Sequence, residues 1–469
     1  MYNAYITCIK NLHKHPNADR LQLGECFGNT VCVSLEYADN QLGIYFPCDG
    51  QLSVEFAEAN NLLRKKDDAG NNCGGYMDPN KRNVTAIRLR GEKSDGLFLP
   101  LTCLETFGDV STLKEGDVIN TFNGHEICCK YIPRRNHRQG HVSDGNRTRK
   151  KKVDVAPLFA EHADTEQLAY NLGAFKPGDE IEITLKMHGT SQRTGYLPVF
   201  KGYKRTFKDW LLRRDGKPIY DWGYVSGTRR TVLDNYDGGY YGSNEFREQH
   251  SKTFEGKLWK GETVYYEVVG FTHTGAPIMA EGNNEKLGKD FVKQYGKTTV
   301  FSYGCEPDGC HDGELMKMTT NDNGDKLLSI TLRPQSDIYV YRMTMTNEDG
   351  AVVEYTPDFM RYRCEQMGVK TVPVMWKGVI PAHTGDAAAI RLGQDAGAWI
   401  KEKAERYYDG PDPIGKTHVR EGVVVRILNR PKFTAYKHKN HNFKMISGII
   451  VDEVADSNVE ISDEILAEL

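Results

Sequence analysis

The sequence predicts an α+β fold with more than one domain. Its 469 residues exceed the ~100 to 200 residues of an ordinary single domain. In the N-terminal part, segments 22–26, 30–35, 43–47 and 84–89 are short runs of strand-forming residues separated by Gly, Asn and Asp, which favours a small β-barrel. From residue 176 onward strands mix with helices, and the last long helix is expected at about 386–408.

Charge and turn residues divide the chain into three predicted segments. A barrel domain covers 1–128, a basic linker covers 129–155, and a larger domain covers 156–469, with a polar, turn-rich insertion near 275–337. The basic segment is compatible both with a solvated linker and with a segment that contacts phosphates. Between residues 130 and 152 its basic residues, opposed only by Asp144, are Lys130, Arg134, Arg135, Arg138, Arg147, Arg149, Lys150, Lys151 and Lys152.

A helix is predicted where the second domain begins. Asp164 can cap its N-terminus, and Gln167 follows three residues later. Leu168, Leu172 and Phe175 then fall on roughly one helical face.

The composition is that of a globular protein in water. The chain is 39% hydrophobic and 27% charged, with a mean hydropathy of -0.58. No apolar run approaches the length of a membrane span, and the N-terminus lacks the basic and apolar regions of a signal peptide. Eleven cysteines without a repeated spacing indicate reduced thiols. We therefore expect a cytoplasmic protein that does not contact membranes.

Two loops of the N-terminal part resemble the tRNA-binding type of OB-fold. The loops are His15-Pro16-Asn17-Ala18-Asp19-Arg20-Leu21 and Ile87-Arg88-Leu89-Arg90-Gly91 with Ser94-Asp95-Gly96. The resemblance implies an OB-fold β-barrel that binds RNA along a groove. Ordinary turns of a barrel would produce the same residues, so both interpretations remain open.

A strand that ends at Lys186 carries the first candidate for chemistry. Apolar and polar residues alternate along it, so one face meets a core and the other faces away. The apolar face consists of Ile181, Ile183 and Leu185, and the opposite face of Glu182, Thr184 and Lys186. Gly189 then allows the backbone to approach a ligand closely. A lysine on a rigid strand beside a tight loop can act as a nucleophile, although most surface lysines are only solvated.

Further motifs follow Lys186 in a fixed order. They are Ser226-Gly227-Thr228-Arg229-Arg230, Val264-Tyr265-Tyr266-Glu267-Val268-Val269-Gly270, Ile338-Tyr339-Val340-Tyr341-Arg342, Glu421-Gly422-Val423-Val424-Val425-Arg426 and Lys437-His438-Lys439. The first motif, Lys186-Met187-His188-Gly189-Thr190, is a KxHG[TS] variant of KxDG. In type and order the set resembles the covalent nucleotidyltransferases, and among them the nick-sealing ATP-dependent RNA ligases with an N-terminal OB-fold domain. The resemblance implies an ATP-grasp-like nucleotidyltransferase domain of antiparallel sheets flanked by helices.

The resemblance also implies an activity. Such enzymes use ATP and Mg²⁺ or Mn²⁺ to join RNA 3'-OH and 5'-phosphate ends, through a lysyl-AMP and an adenylylated RNA, and a role in RNA repair is expected. Lys186 is the implied nucleophile, which must lose its proton before it attacks. Lys437 and Lys439, two residues apart on one strand face, would favour that loss and hold the α-phosphate. A solvated basic edge strand is the alternative for this pair.

Two glutamates and a tyrosine are implied to contact the nucleotide or its metal. Glu267 is assigned mainly to the ribose and Glu421 mainly to the hydrated metal, with the division between them left open. Tyr341 is implied to stack on adenine, with Tyr339 as the fallback. A tyrosine buried in the core is the alternative.

The remaining implied contacts lie near the phosphates. Arg229 or Arg230 would hold phosphate with a guanidinium fork, and the sequence does not distinguish them. His188 and Gly189 would lie against ATP. His188 stands where Asp is commoner in the family, and a neutral imidazole only partly replaces a carboxylate in ordering metal-bound water.

Other classes of protein share some of these features. DNA ligases and mRNA capping enzymes carry their OB domain after the last motif, but too few residues follow Lys439 for a barrel of ~70 residues. The OB-like part lies at the front, which favours an RNA ligase, expected as a monomer. A non-catalytic RNA- or tRNA-binding protein is the alternative from another class, and the complete set of motif lysines and glutamates argues against it.

Overall fold

The internal contacts of the computed structural model divide the chain into two units. The first comprises Met1–Val142 with Lys444–Leu469, and the second comprises Ser143–Phe443. The domain boundaries drawn from the sequence stay predictions. The structure describes residues 2–48, 50–66, 72–131, 153–162, 165–211, 216–229, 231–233, 236, 245–273, 275–305, 317–320, 326–329, 336–381 and 396–447.

The first unit is built from short strands around one apolar core. Buried side chains such as Ile6, Ile44, Phe46 and Phe56 form that core. The strands pair as β12-β5-β1-β13, β16-β6-β9, β2-β3-β4, β10-β11, β14-β15 and β7-β8. They are β1 (Ala4–Cys8), β2 (Lys10–Lys14), β3 (Leu21–Cys26), β4 (Asn29–Ser34), β5 (Leu42–Phe46), β6 (Gly50–Leu52), β7 (Arg64–Lys66), β8 (Asn72–Gly74), β9 (Asn83–Val84), β10 (Ala86–Leu89), β11 (Glu92–Asp95), β12 (Leu97–Pro100), β13 (Val118–Ile119), β14 (Thr121–Phe122), β15 (His125–Glu126) and β16 (Cys128–Lys130). Among the described residues these pairings do not close into a barrel, so the OB-fold stays a prediction.

The two OB-like loops of this unit contact each other. His15 is buried, and its Nε2 lies 3.0 Å from the Leu89 carbonyl oxygen. Its Nδ1 accepts a hydrogen bond from the Asn17 backbone, while the Asn17 amide donates to the Arg90 carbonyl. The loops therefore have a structural role in holding β10 against the turn before β3, whether or not they also bind RNA.

The second unit contains two sheets that are mainly antiparallel. One has the order β17-β31-β30-β18-β29, and the other has the order β20-β19-β21-β26-β27 with β28 added beside β26. Two further antiparallel strand pairs, β22-β23 and β24-β25, are present in the described part of this unit. The strands are β17 (Glu166–Gln167), β18 (Glu180–Leu185), β19 (Thr190–Lys204), β20 (Lys217–Gly227), β21 (Glu262–Gly270), β22 (Gly282–Asn283), β23 (Thr298–Thr299), β24 (Lys317–Thr320), β25 (Lys326–Ser329), β26 (Ser336–Thr346), β27 (Val352–Glu354), β28 (Lys370–Thr371), β29 (Val374–Val379), β30 (Gly422–Ile427) and β31 (Thr434–Lys439).

Helices cover the outer faces of these sheets. Ile400 and Ala404 pack with Ile181 and Val425 on the five-stranded sheet, and Met360 and its neighbours pack on the six-stranded one. The helices in the described part of the chain are α1 (Val54–Ala59), α2 (Phe207–Leu211), α3 (Glu245–Lys252), α4 (Lys289–Tyr295), α5 (Pro357–Met367), α6 (Ala396–Tyr408) and α7 (His441–Ile446), with 3-10 helices at Leu101–Phe107, Leu168–Tyr170, Leu172–Ala174 and Asn284–Leu287.

Sequence rules account for the ends of α5. The Thr356 side chain accepts a hydrogen bond from the Phe359 amide, and Pro357 occupies the first turn, where no amide donor is needed. Gly368 then takes the left-handed conformation, with φ 69°, that ends the helix.

The mixed architecture confirms the α+β prediction, but one helix is corrected. The predicted helix over Leu168, Leu172 and Phe175 is two 3-10 helices, because Asn171 between them has a non-helical φ of -129°. The predicted last helix is present as α6. Its expected first residues, the basic segment from 132 to 152, and 306–316, 321–325 and 330–335 of the insertion lie outside the described residues.

No helix in the described part of the chain combines the length and apolar character that a membrane span requires.

His250 gives the packing of the second unit a pH dependence. It is buried on α3, and its Nε2 lies 2.7 Å from Ser336 Oγ at the start of β26. Burial lowers the pKa of His250 to about 4, although Asp337 opposes the effect. The unfolded chain, with a histidine pKa of about 6.5, therefore binds a proton that the folded chain does not take up until the pH approaches its own lower pKa. The free energy of unfolding consequently falls as the pH falls through this window.

We expect His250→Gln to remove roughly 3 kcal/mol of the stability loss between about pH 7 and about pH 4, since each pKa unit is worth ~1.4 kcal/mol. Urea unfolding over a pH series measures this, with the exposed His13→Gln as the control. Equal slopes of unfolding free energy against pH in the wild type and His250→Gln would contradict the assignment.

Candidate active site

The strand β18 places Lys186 at the mouth of a cleft. Ile181, Ile183 and Leu185 are buried, as the alternation predicts. The opposite face lines a cleft together with Arg229, Glu267 and Tyr341. Lys186 follows the strand, its amide donates to the Gly422 carbonyl, and its ammonium reaches into the cleft.

The carboxylate of Glu421 is the centre of the site. Its Oε1 lies 2.8 Å from Lys186 Nζ and 3.2 Å from Lys439 Nζ. Its Oε2 lies 3.5 Å from His188 Nδ1 and has no hydrogen-bond partner among the described residues. Strand pairing explains this meeting, because β30 lies between β18 and β31 and Gly422 is paired with Lys439. A side chain at Gly422 would lie 2.1 Å from the His438 carbonyl, so the close approach requires glycine.

The electrostatics of Glu421 follow from these contacts. Burial alone raises the pKa of the Glu421 carboxyl, but Lys186 and Lys439 outweigh it and hold the pKa well below its usual range. Two ammonium groups therefore face one carboxylate in a buried position. The surplus positive charge suits an anionic group entering the cleft.

Glu267 is a second carboxylate of the site, on β21. Burial raises its pKa to about 7, and Glu421 adds to this while Lys186 and Arg229 oppose it. Gly189 allows the first motif to pass close to this strand. A Cβ at position 189 would lie 2.3 Å from the Val268 carbonyl oxygen and 2.9 Å from Glu267 Cγ.

His188 is fixed by three aromatic residues. Its ring meets Phe301 and Phe443 edge-on, with centroids 4.6 Å and 4.7 Å away, and its backbone amide donates to Tyr303 Oη at 2.6 Å. Burial lowers the pKa of His188 more than Glu421 raises it. Phe301 and Tyr303 are themselves buried. This part of the predicted insertion is therefore not confined to the surface.

Tyr341 lies in the cleft and Tyr339 does not share its position. Tyr341 Oη is 2.7 Å from Ser191 Oγ, and its ring is 5.1 Å from that of His162. Tyr339 is opposite Glu267 in the pairing of β26 with β21, and the pairing shifts between Val340 and Arg342, so Tyr341 is unopposed in the ladder. Tyr339 is buried, and the Lys370 ammonium lies over its ring.

The other predicted residues have the following positions. Arg229 lines the cleft, and Arg230 lies outside the described residues. Lys437 is on β31 opposite Val424, two residues before Lys439.

Several site residues were not predicted from the sequence. Arg247 of α3 donates to Thr190 Oγ1 and to the Ser191 carbonyl, which fixes the start of β19. Arg361 pairs with the buried Glu182 at 2.9 Å, and both line the cleft. Arg426 was quoted only as the end of a motif, yet it too lines the cleft. An arginine on a helix surface carries no local sign of such a role, because its partner is distant in sequence.

Comparison with known proteins identifies the fold. No protein-family model matches the sequence, and no curated protein sequence matches it. Solved structures of a Naegleria gruberi RNA ligase do match. The structure with pyrophosphate has a TM-score of 0.52 at 15% identity, over 94% of this chain and 97% of that chain. Substituted variants of the same ligase, one with ATP and Mn and one with AMP and Mn, each give a TM-score of 0.50 at 14% identity over the same shares. The chain has the fold of these ligases.

We expect Gly189→Ala to lower the free energy of unfolding by about 1 to 3 kcal/mol, because its Cβ would meet backbone and force a shift. Gly173 is an internal control: it is exposed, and a Cβ there meets nothing within 4 Å. Gly173→Ala should change the stability by less than about 1 kcal/mol. Urea titration compares the two, and equal effects would contradict a close approach at Gly189.

Proposed function

We propose that the protein is an ATP-dependent RNA ligase that joins 3'-OH and 5'-phosphate RNA ends through a lysyl-AMP on Lys186. One observation carries the proposal: Lys186 Nζ lies 2.8 Å from a buried carboxylate that also holds Lys439, at the mouth of a cleft lined by Tyr341. The ordered motifs and the ligase fold support it.

The proposed reaction has three phosphoryl transfers. Lys186 first loses a proton to solvent, and its neutral amine then attacks the α-phosphorus of ATP. The bond to the β-phosphate oxygen breaks, pyrophosphate leaves, and the attacking nitrogen releases a second proton to solvent. The 5'-phosphate of RNA then attacks the lysyl-AMP phosphorus and the P–N bond breaks. Finally the 3'-OH attacks the adenylylated 5'-phosphate, loses its proton and expels AMP. The lysine is restored in the second step, and the third step converts the two RNA ends into one phosphodiester.

The charges around Lys186 fit the first step. A carboxyl whose pKa is held well below its usual range is a weak base, so we assign Glu421 to orienting the amine rather than to removing its proton. Lys439 would hold the negative charge that develops on the phosphate as bonds break. We assign Lys437, with Arg229 or Arg230, to binding the phosphates of ATP. We assign His188 and Gly189 to the wall of the site against which these phosphates would lie.

Two carboxylates fit a hard divalent cation. Glu421 Oε2 is buried without a hydrogen-bond partner among the described residues, and Glu267 supplies a second carboxylate nearby. In the described residues no group of three or more His, Cys, Asp and Glu side chains could hold a metal. Mg²⁺ and Mn²⁺ suit such a partial set, since they retain waters and bind substrate phosphates. When bound, the cation would neutralise charge on the transferring phosphoryl group. The N. gruberi structures with ATP and Mn support this assignment.

The cleft suits the adenosine part of ATP. Tyr341, His162 and Phe433 provide aromatic faces, and we assign Tyr341 to adenine and Glu267 to the ribose or the metal. A role in RNA repair, a monomeric state and a cytoplasmic location stay predictions from the sequence.

Intact mass spectrometry after incubation with ATP and Mg²⁺ tests the proposal. The wild type should gain the mass of one AMP, and Lys186→Ala should gain none because the nucleophile is absent. Lys176→Ala, which removes an exposed lysine of the same unit, should react like the wild type. A binding protein without activity would show no adduct in any variant.

A second experiment separates the three steps. Given RNA whose 5' end is already adenylylated, Lys186→Ala should still join ends, because the last step needs no lysine nucleophile. Glu421→Gln should lose roughly 10²- to 10³-fold in both adduct formation and joining, since it serves every phosphoryl transfer. Circular dichroism checks that both variants are folded. Full joining by Glu421→Gln would remove that residue from the mechanism, and substrates of DNA would reveal a DNA ligase.

A further inference from the structure

The hairpin of β19 and β20 extends beyond the sheet as an exposed basic arm. We call residues 201–211 with 216–222 the basic arm; they form the end of β19, α2 and the start of β20. The sequence from 201 to 222 contains seven Lys and Arg residues against three Asp residues, whereas the whole chain has a net charge of -3. Its described basic residues are exposed: Lys201, Lys204, Arg205 and Lys217.

Strand register brings two of these charges together. Lys204 pairs directly with Lys217 where the two strands end. Like charges opposite each other destabilise a β-hairpin. One residue pair earlier, Tyr203 is opposite Pro218, so aromatic and basic side chains alternate along the end of the arm. An anion that binds between the two ammonium groups would reduce the repulsion between them and so stabilise the hairpin.

Large apolar side chains are exposed beside these charges. Phe207 is 76% exposed and Leu211 is 65% exposed on α2, and Ile219 is 42% exposed on β20. Such side chains together on one projection indicate an interaction surface. Tyr203 is held in place because its ring packs against Phe200 at 5.0 Å.

A bulge interrupts the strand pairing at Lys201, whose ammonium lies beside Gly223 of β20. The pairing of β19 with β20 shifts between Phe200 and Gly202, which leaves Lys201 unopposed in the ladder. Gly202 has a φ of 142°, which favours glycine. Bulges turn side chains and increase the twist of a hairpin.

We propose that the basic arm binds single-stranded RNA outside the reacting ends; the choice of RNA as ligand rests on the proposed function. Phosphates would lie between the lysines, and an unpaired base would stack on Phe207, the combination by which proteins hold single strands without reading sequence. At ~3.3 Å per residue, β19 places Lys204 at most about 45 Å from Thr190 at the cleft. The arm would therefore hold RNA outside the cleft, no farther from it than this length. A membrane surface fits less well, because α2 has only 5 residues and cannot form an interfacial amphipathic helix.

Fluorescence anisotropy with a labelled single-stranded RNA over a salt series tests the proposal. Lys204→Gln/Lys217→Gln should bind roughly tenfold more weakly at low salt and reduce the slope of log affinity against log salt by about 1.4, at ~0.7 per phosphate contact. Phe207→Ala should also bind about tenfold more weakly but keep the slope, because stacking releases no counterions. Lys289→Gln/Lys293→Gln removes two exposed lysines of α4 and is the matched control.

Each result decides the matter. Weaker binding with the expected slopes in the arm variants, and wild-type binding in the control, supports the arm. Equal affinity in all variants, or equal loss in the arm and control variants, overturns it. Loss only for duplex RNA overturns the single-strand assignment. Loss of binding only to phosphatidylserine vesicles, or a change only in oligomeric state, indicates a membrane or a second copy of the chain instead.

AMP adduct formation, measured on the same samples, separates this proposal from the proposed function. The arm variants should form the adduct like the wild type, because no arm residue lies in the cleft. A wild type that forms no adduct, yet loses RNA affinity when the arm is changed, would reject the ligase and retain the arm.

Discussion

A buried carboxylate that meets two ammonium groups organises the second unit. Burying an isolated carboxylate is costly, and Glu421 is stable as an anion only because Lys186 and Lys439 lie within 3.2 Å of one of its oxygens. These lysines are more than 250 positions apart, and only the strand order β18-β30-β31 brings them together. The charge cluster and the five-stranded sheet therefore depend on each other: a shift of one residue in either pairing would turn a lysine to the opposite face.

The six-stranded sheet is joined to the charge cluster around Glu421 by close backbone packing. The first motif passes so close to β21 that position 189 has no room for a side chain. Thr190 then begins β19, which pairs with β21 and sets Ser191 opposite Glu267. Lys186 and Glu267 are in this way held by a single turn between the two sheets. Arg247 and Tyr303 fix the two sides of that turn by hydrogen bonds, so the turn is supported from elements distant in sequence.

What the sequence could predict follows from the range of each interaction. The alternation on β18 is local, and the predicted burial of its apolar face agrees with the structure. The order of motifs allowed Lys186 and Glu421 to be named, but not their contact through Oε1. The role of Phe301 in packing His188 depends on a fold over more than 100 residues, and no local pattern marks it. The bulge that leaves Tyr341 unopposed in the ladder of β21 and β26 is likewise not visible in the sequence.

Surplus positive charge recurs at two places in the second unit, for the same physical reason. In the cleft, the ammonium groups of Lys186 and Lys439 share one carboxylate. On the basic arm, Lys204 is paired in the ladder with another lysine, Lys217, and not with an acidic residue. Neither arrangement favours folding by itself, because like charges repel each other. The cleft pair has one carboxylate for two ammonium groups, and the arm pair faces no carboxylate in the ladder. Sequences retain such costs where a ligand removes them. A polyanion that reached both places would relieve the repulsion at both. Under the proposed function, ATP in the cleft would relieve it at only one of them. The overall charge of -3 conceals this, since net charge averages over faces that a bound nucleic acid would meet separately. The distribution of charge, rather than its sum, is therefore the property of this chain that bears most directly on the proposed binding of RNA.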